Sequence, residues 1–254
     1  MAGKSSRGWL TNQHGAWAMI IVPFLVGLVL VSPHRPLDLG DAALGVTWLI
    51  GYFAFNALVL AIKAAPRRRP EYLPAAGVYG GIAVAAGLAT LWFRGWELLL
   101  WAPVYAVLLG AALWLAASKR ERSVLSGVLT IVASCGLMAV LRSTGDGGAV
   151  RPEEVAVMVA ITAYFVGTVF HVKALIRERN NPHSAPRSLA YHGVLAALVL
   201  AAVVVGWLNW AWLLWASALV ARAWWMPRER RRPAQIGVVE IVLSAAALLL
   251  VLFA

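Results

Sequence analysis

The chain has 254 residues, 61% of them hydrophobic and only 13% charged, where a soluble domain carries about 25% charged residues. Its mean hydropathy is +0.77, which excludes an ordinary soluble domain anywhere along it. The formal net charge of +11 reads as charge held at membrane headgroups by anionic lipid, not as a nucleic-acid footprint, and the lone Cys135 excludes an internal disulfide or a cysteine metal cluster.

Nine apolar stretches follow one another at 15–32, 42–62, 72–93, 98–117, 123–141, 155–172, 189–205, 209–225 and 236–253. Most hold about 18–22 residues, enough to cross a hydrocarbon core of about 30 Å at 1.5 Å per residue. The first is expected to be retained: it is a full-length span with no small-residue cleavage site after a short apolar core. The connections alternate in charge. The N-terminal tail carries Lys4 and Arg7, and the second connection Lys63, Arg67, Arg68 and Arg69. The fourth carries Lys119, Arg120 and Arg122, the sixth Lys173, Arg177, Arg179 and Arg187, and the eighth Arg222, Arg228, Arg230, Arg231 and Arg232. Only Arg35, Arg94, Arg142 and Arg151, of 22 Lys and Arg, fall in the other connections. The positive-inside rule predicts a cytoplasmic N-terminus, cytoplasmic even-numbered connections and, with nine spans, an external C-terminus. The expected architecture is therefore an all-α, polytopic membrane bundle of nine transmembrane helices, a single domain over 1–254, in a bacterial inner membrane. Trp92, Trp96, Trp224 and Trp225 stand at the predicted interfaces as an aromatic belt.

Polar residues inside the spans are the candidate functional groups, because a charge at depth costs several kcal/mol unless it is paired or wet. Tyr164, Thr168 and His171 share one face of the sixth segment by helical spacing. Asn56 lies near the middle of the second, Tyr191 and His192 at the start of the seventh, and Glu240 about one turn into the ninth, where Arg222 is an available partner. His14, Asn56, Lys63, His171, Lys173, Arg177, Glu178 and Glu240 all fall in the cytoplasmic half and form the predicted ligand-binding set. Each signature histidine, His14 and His171, has small residues beside it, Gly15 and Ala16 in one case and Gly167 in the other. The two are expected to lie near each other on packed helices.

The chemistry expected of this set is anion binding without metal. A Mg²⁺-diphosphate site needs several spaced carboxylates, yet the inner loops of interest offer Glu71 and Glu178, while Asp38, Asp41 and Asp146 lie on the outer side. No G-x-S-x-G, H-E-x-x-H or Walker loop is present. Arg forks and Lys instead suit a phosphate or carboxylate. Two rival classes stand beside this reading. One is a small transporter, with Pro23 and Gly27 interrupting the first helix. The other is a haem or electron-transfer subunit, with His14, His171 and His192 as candidate ligands.

Asn12-Gln13-His14-Gly15-Ala16-Trp17-Ala18-Met19, followed by Val22-Pro23-Phe24 and Gly27, resembles the opening signature of the YwiC-like family of bacterial membrane proteins. The stretch from Tyr164 to Lys173, with Arg177-Glu178-Arg179 beyond, is similar to that family's second block. The resemblance implies a membrane protein and brings no biochemical activity with it. At the level of architecture the chain also resembles the UbiA prenyltransferase superfamily, with nine helices and polar loops after the second and sixth. That resemblance implies an Asn near the end of the second helix, which Asn56 matches, and aspartate-rich Mg²⁺ motifs, which Leu60, Ala64 and the sixth-helix loop do not supply. The combined expectation is binding, or metal-independent processing, of an isoprenoid phosphate or quinone precursor among membrane lipids, with no nucleic acid and no required cofactor.

Overall fold

Each of the nine apolar stretches forms an α-helix in the computed structural model, which describes residues 8–9, 16–120, 123–145 and 148–253; no strand occurs among the described residues. The helices are α1 (Ala16–Val31), α2 (Leu39–Lys63), α3 (Leu73–Arg94), α4 (Ala102–Ala117), α5 (Val124–Ser143), α6 (Pro152–Val172), α7 (Ser184–Val204), α8 (Ala211–Trp225) and α9 (Pro233–Val251). Their starts follow from local chemistry. Asp38 caps α2, accepting from the Gly40 amide at 2.7 Å while Asp41 accepts from the Asp38 amide at 3.1 Å, the reciprocal box that satisfies orphan N–H groups. Pro152 and Pro233 open α6 and α9 at the first helical position, where a missing N–H costs nothing. Gly95, at φ +77°, closes α3 in a conformation that favours glycine.

Among the described residues, seven of these segments are long and apolar enough to cross a membrane, the fourth and sixth through a Trp96–Trp101 3₁₀ turn and a Lys173–Arg177 π turn. The chain is a helical membrane protein. Among the described residues the expected count of nine spans is not reached by length alone: α1 has 16 residues and α8 has 15, about 22–24 Å at 1.5 Å per residue. Three sequence boundaries also move. The π turn continues α6 through Lys173 and Arg177, which had read as loop, and α7 starts at Ser184 instead of 189. Arg222 lies inside α8 and is buried, so it is not part of the eighth connection.

The contacts divide the chain into two compact units. One comprises His34–Ala133 and Ser143–Gly147 with the N-terminal segment, and so holds α2, α3, α4 and the first half of α5. Here α2 lies along α3, with the Thr47 and Thr90 hydroxyls 3.2 Å apart and the Phe53 and Tyr79 rings 5.3 Å apart. Tyr105 of α4 donates to the Ala133 carbonyl of α5 at 3.0 Å. The other unit comprises Gly15–Pro33, Ser134–Arg142 and Gly148–Ala254, and holds α1, the second half of α5 and α6 to α9. In it α1 meets α5 closely. A Cβ on Gly27 would come 2.5 Å from Leu141 Cδ1 and 3.2 Å from the Met138 backbone, so only glycine permits this approach. Ser134 Oγ donates to the Met19 carbonyl across the same contact.

The four arginines outside the basic connections are all ion-paired. Arg35 holds Asp41 at 2.7 Å, and Arg94 holds Asp38 at 2.7 Å and Asp41 at 2.6 Å. Arg142 holds Glu154 at 2.8 Å, with Arg151 at 3.7 Å from the same carboxylate. The hydrogen bond to Asp41 raises the Arg35 guanidinium above its ordinary pKa, against the desolvation that would lower it. Charge asymmetry between the two sets of connections is thus sharper than a count of Lys and Arg conveys.

Candidate functional site

Four helices of the second unit send polar side chains to one buried point. Helix α6 supplies Tyr164, Thr168 and His171, α7 supplies Ser188 and His192, α8 supplies Arg222, and α9 supplies Glu240 and Ser244; all are buried. The Arg222–Glu240 ion pair sits at the centre, with the two residues only 5% and 9% exposed. Arg222 Nη1 donates to both Glu240 oxygens. Thr168 Oγ1 donates to Glu240 Oε2 at 3.0 Å, and the Tyr164 hydroxyl lies 3.4 Å from that oxygen. The same hydroxyl is 3.0 Å from the Glu240 carbonyl and 2.9 Å from Ser244 Oγ. An ionised carboxylate accepts only, so every neighbour it meets here is a donor.

The second guanidinium nitrogen of Arg222 donates to His192 Nε2 at 2.8 Å. Arginine cannot accept, so His192 Nε2 is the acceptor and its proton is on Nδ1, which donates to the Ser188 carbonyl at 2.7 Å. The hydrogen-bond partners therefore assign one neutral tautomer to His192. His171 stands edge-on to it, with ring centroids 6.0 Å apart. Its Nδ1 lies 3.4 Å from Ser188 Oγ, and its Nε2 has no hydrogen-bond partner. Gly167 makes this proximity possible: a Cβ there would come 2.8 Å from Tyr191 Cε1 and 2.9 Å from His192 Nε2.

Toward the basic end of α6 the arrangement opens. Lys173 and Ser184 both bond Glu178, at 2.7 Å each, tying the π turn to the start of α7. These bonds, first that of Lys173, hold the half-buried Glu178 carboxyl below its ordinary range. Beside them lies a cavity of about 130 Å³, with Ala174, Leu175, Pro182, Ala185 and Pro227 as its apolar wall and Arg179 and Asn181 as its polar edge. Arg177 is exposed.

The predicted residues therefore separate into groups. His171 and Glu240 join the buried network; Lys173 and Glu178 pair with each other at the mouth. Asn56, half-buried, and Lys63, exposed, belong to α2 in the other unit. His14 lies outside the described residues, and so does its expected meeting with His171. Gly167 does admit a close helix, but the helix is α7 and the imidazole that arrives is His192. His192 was named at the start of the seventh segment but left out of the ligand-binding set, and Ser188 was not singled out. A signal was available, since Ser188 and His192 are four residues apart and share a face. Among the described residues, no three His, Cys, Asp or Glu side chains gather as metal ligands.

The YwiC-like protein family model matches residues 10–142, just over half the chain. The chain belongs to the YwiC-like family. Within the range of proteins similar to it, a Bacillus subtilis protein named "Uncharacterized protein YwiC" is 30% identical over 197 residues, 74% of this chain and 76% of that one. A Haemophilus influenzae relative named "Uncharacterized protein" is 28% identical over 253 residues, 96% of this chain and 98% of its own. No solved structure matches. The family match ends where α5 ends, so the buried network on α6 to α9 lies beyond it, in the part covered by the long alignment with the Haemophilus relative.

Proposed function

We propose that this YwiC-like protein crosses the bacterial inner membrane nine times and binds the anionic head of an amphiphile, an isoprenoid phosphate or quinone precursor, at the cytosolic end of α6 and α7. The cavity at that end carries the reading. Its wall is apolar, and its edge offers the Arg179 guanidinium and the Asn181 amide. A guanidinium fork suits phosphate or carboxylate oxygens. A volume of about 130 Å³ accommodates a head and its first carbons, leaving an apolar tail to lie along exposed residues such as Ile176. The cytosolic orientation is supported by the basic connections and by the pairing of the four remaining arginines. It requires α1 and α8 to cross with the help of their flanking turns.

Lys173, Arg177 and Glu178 stand on the segment that lines this mouth. The donors at hand favour recognition, or processing, without metal. A haem subunit is the weaker reading, because both His192 nitrogens are engaged and ligation would cost the contact with Arg222. The test is native mass spectrometry of the detergent-purified protein with added farnesyl monophosphate. A one-to-one adduct with the wild type that is lost in Arg179→Ala and Asn181→Ala is expected. No adduct, or undiminished binding in both variants, would sink the proposal.

A further inference from the structure

We propose that the turn between α8 and α9 is a binding site for the phosphate of an anionic glycerophospholipid, built by Arg228 and Arg231 lying on the exposed rings of Trp224 and Trp225. This does not rest on the amphiphile reading. The donors here belong to the α8–α9 connection, whereas Arg179 and Asn181 of the cavity belong to the connection between α6 and α7.

Both ends of the turn are fixed. Met226 and Ile236 are buried in one apolar cluster with Leu175. Pro233 opens α9, and the Arg232 amide donates to Gln235 Oε1 at 2.9 Å. Between these anchors the chain carries Arg228, Arg230, Arg231 and Arg232 against a single acid, Glu229. Two of the four arginines are stacked. The Arg228 guanidinium carbon lies 3.6 Å from the centre of the Trp224 ring, and that of Arg231 lies 4.2 Å from the centre of the Trp225 ring. The two tryptophans are 56% and 51% exposed, so the turn presents two apolar plates at the surface, each carrying a cation. Helix α8 has only 15 residues, and a phosphate held at its end would anchor it at the headgroup level.

Stacking uses the face of a guanidinium and leaves its N–H donors, which lie in the plane, for other partners. Arg228 Nη1 donates to the Trp224 carbonyl, and Arg231 Nη2 donates to Glu229 at 2.9 Å. The Arg231 Nε–H is shut off from solvent and has no acceptor, a desolvated donor that an oxyanion would satisfy. The Glu229 side chain is 62% exposed, so an oxyanion reaches this fork from the outside. A phosphodiester offers two such oxygens and one negative charge, which a fork engages through charge-assisted bonds. Its glycerol and first acyl carbons would lie against the indole rings, at the level that Trp takes in a membrane interface. Headgroup charge separates the lipid classes: a zwitterionic lipid brings an ammonium group beside the arginines, and an anionic one does not. Arg67, Arg68 and Arg69 of the connection between α2 and α3 lack this construction. They are exposed, and among the described residues they stack on no ring.

The experiment is native mass spectrometry of the full chain in detergent, with added phosphatidylglycerol or phosphatidylcholine of the same acyl chains. The wild type should bind its first phosphatidylglycerol about fivefold more tightly than phosphatidylcholine, or better. Arg228→Gln combined with Arg231→Gln should weaken phosphatidylglycerol binding about tenfold, through the loss of charge-assisted contacts. Trp224→Leu combined with Trp225→Leu keeps every charge, yet should weaken it about two- to fivefold through the lost cation–π contacts. The triple variant Arg67→Gln, Arg68→Gln, Arg69→Gln removes more charge and should change it by less than about twofold. Arg179→Ala, at the cavity, should leave it unchanged, which separates this site from the amphiphile proposal. Equal binding of the two lipids by the wild type overturns the proposal, whether or not any variant folds. A loss in the triple variant equal to that in the Arg228 and Arg231 variant overturns it as well, because net charge alone would then account for the binding. Undiminished binding in the tryptophan variant does the same.

Discussion

Arg222→Leu should cost about 3–5 kcal/mol of stability, the loss typical when one partner of a buried ion pair is removed. The reason is what stays behind. Glu240 would keep Thr168 and Tyr164 as hydrogen-bond donors, but its charge would have no counter-charge in an environment poor in water. His192 would lose the donor to its Nε2. Glu240→Leu alone should be similarly damaging, because it strands the guanidinium. The double substitution Arg222→Leu with Glu240→Leu should recover most of the loss, since replacing both charges by apolar groups is often neutral or stabilising. Unfolding in a fixed detergent, followed across the four proteins, measures the coupling. Additive losses in the double variant would mean that the two residues are not partners in the folded protein.

Arg142→Leu should be nearly as costly, at the opposite end of α6. Arg142 is fully buried. It bonds Glu154 at 2.8 Å, the Ala149 carbonyl at 2.9 Å and the Gly148 carbonyl at 3.3 Å. Its loss takes the buried guanidinium from a carboxylate that would keep the Arg151 amide at 2.8 Å, and removes a donor from two backbone acceptors, each of which carries a desolvation penalty. About 3–5 kcal/mol is again expected. Arg142→Lys should recover only part, because an ammonium cannot reproduce the fork. Arg151 contacts the same carboxylate at 3.7 Å but its side chain is 60% exposed, so Arg151→Ala should change stability by about 1 kcal/mol or less. The comparison is decisive by ratio: equal effects at 142 and 151 would show that burial of the first does not matter.

Much of the fold was legible because hydrophobic length and charge alternation are properties of single segments. The sixth segment's face of Tyr164, Thr168 and His171 was readable for the same reason, since spacings of four and three residues fix it. The start of α7 was not legible. Ser184-Ala185-Pro186-Arg187 is polar and contains a proline, so it reads as loop, yet proline is tolerated in a first helical turn. Lys173 and Arg177 likewise read as loop charge, but the chain continues as a π turn with Glu178 bonded to Lys173. The network itself depends on how α6, α7, α8 and α9 are rotated about their axes, and no single segment encodes that. Arg222 shows both sides: counted with the arginines that follow it, it looked like topology charge, yet its pairing with Glu240 was legible from the ninth segment and does form at the centre of the site. Helices α1 and α8 illustrate a different limit, since apolarity marked them as spans while their helical lengths, among the described residues, fall short.

In the proposed function the mouth of this site opens to the cytosol. Cys135 is the sole cysteine and is buried, so a Cys135→Ala background accepts a single reporter cleanly. Asn181→Cys in that background places a thiol at the cavity edge. A membrane-impermeant maleimide should label it in inverted inner-membrane vesicles and leave it unlabelled in intact cells. Labelling in intact cells would reverse the orientation and contradict the account.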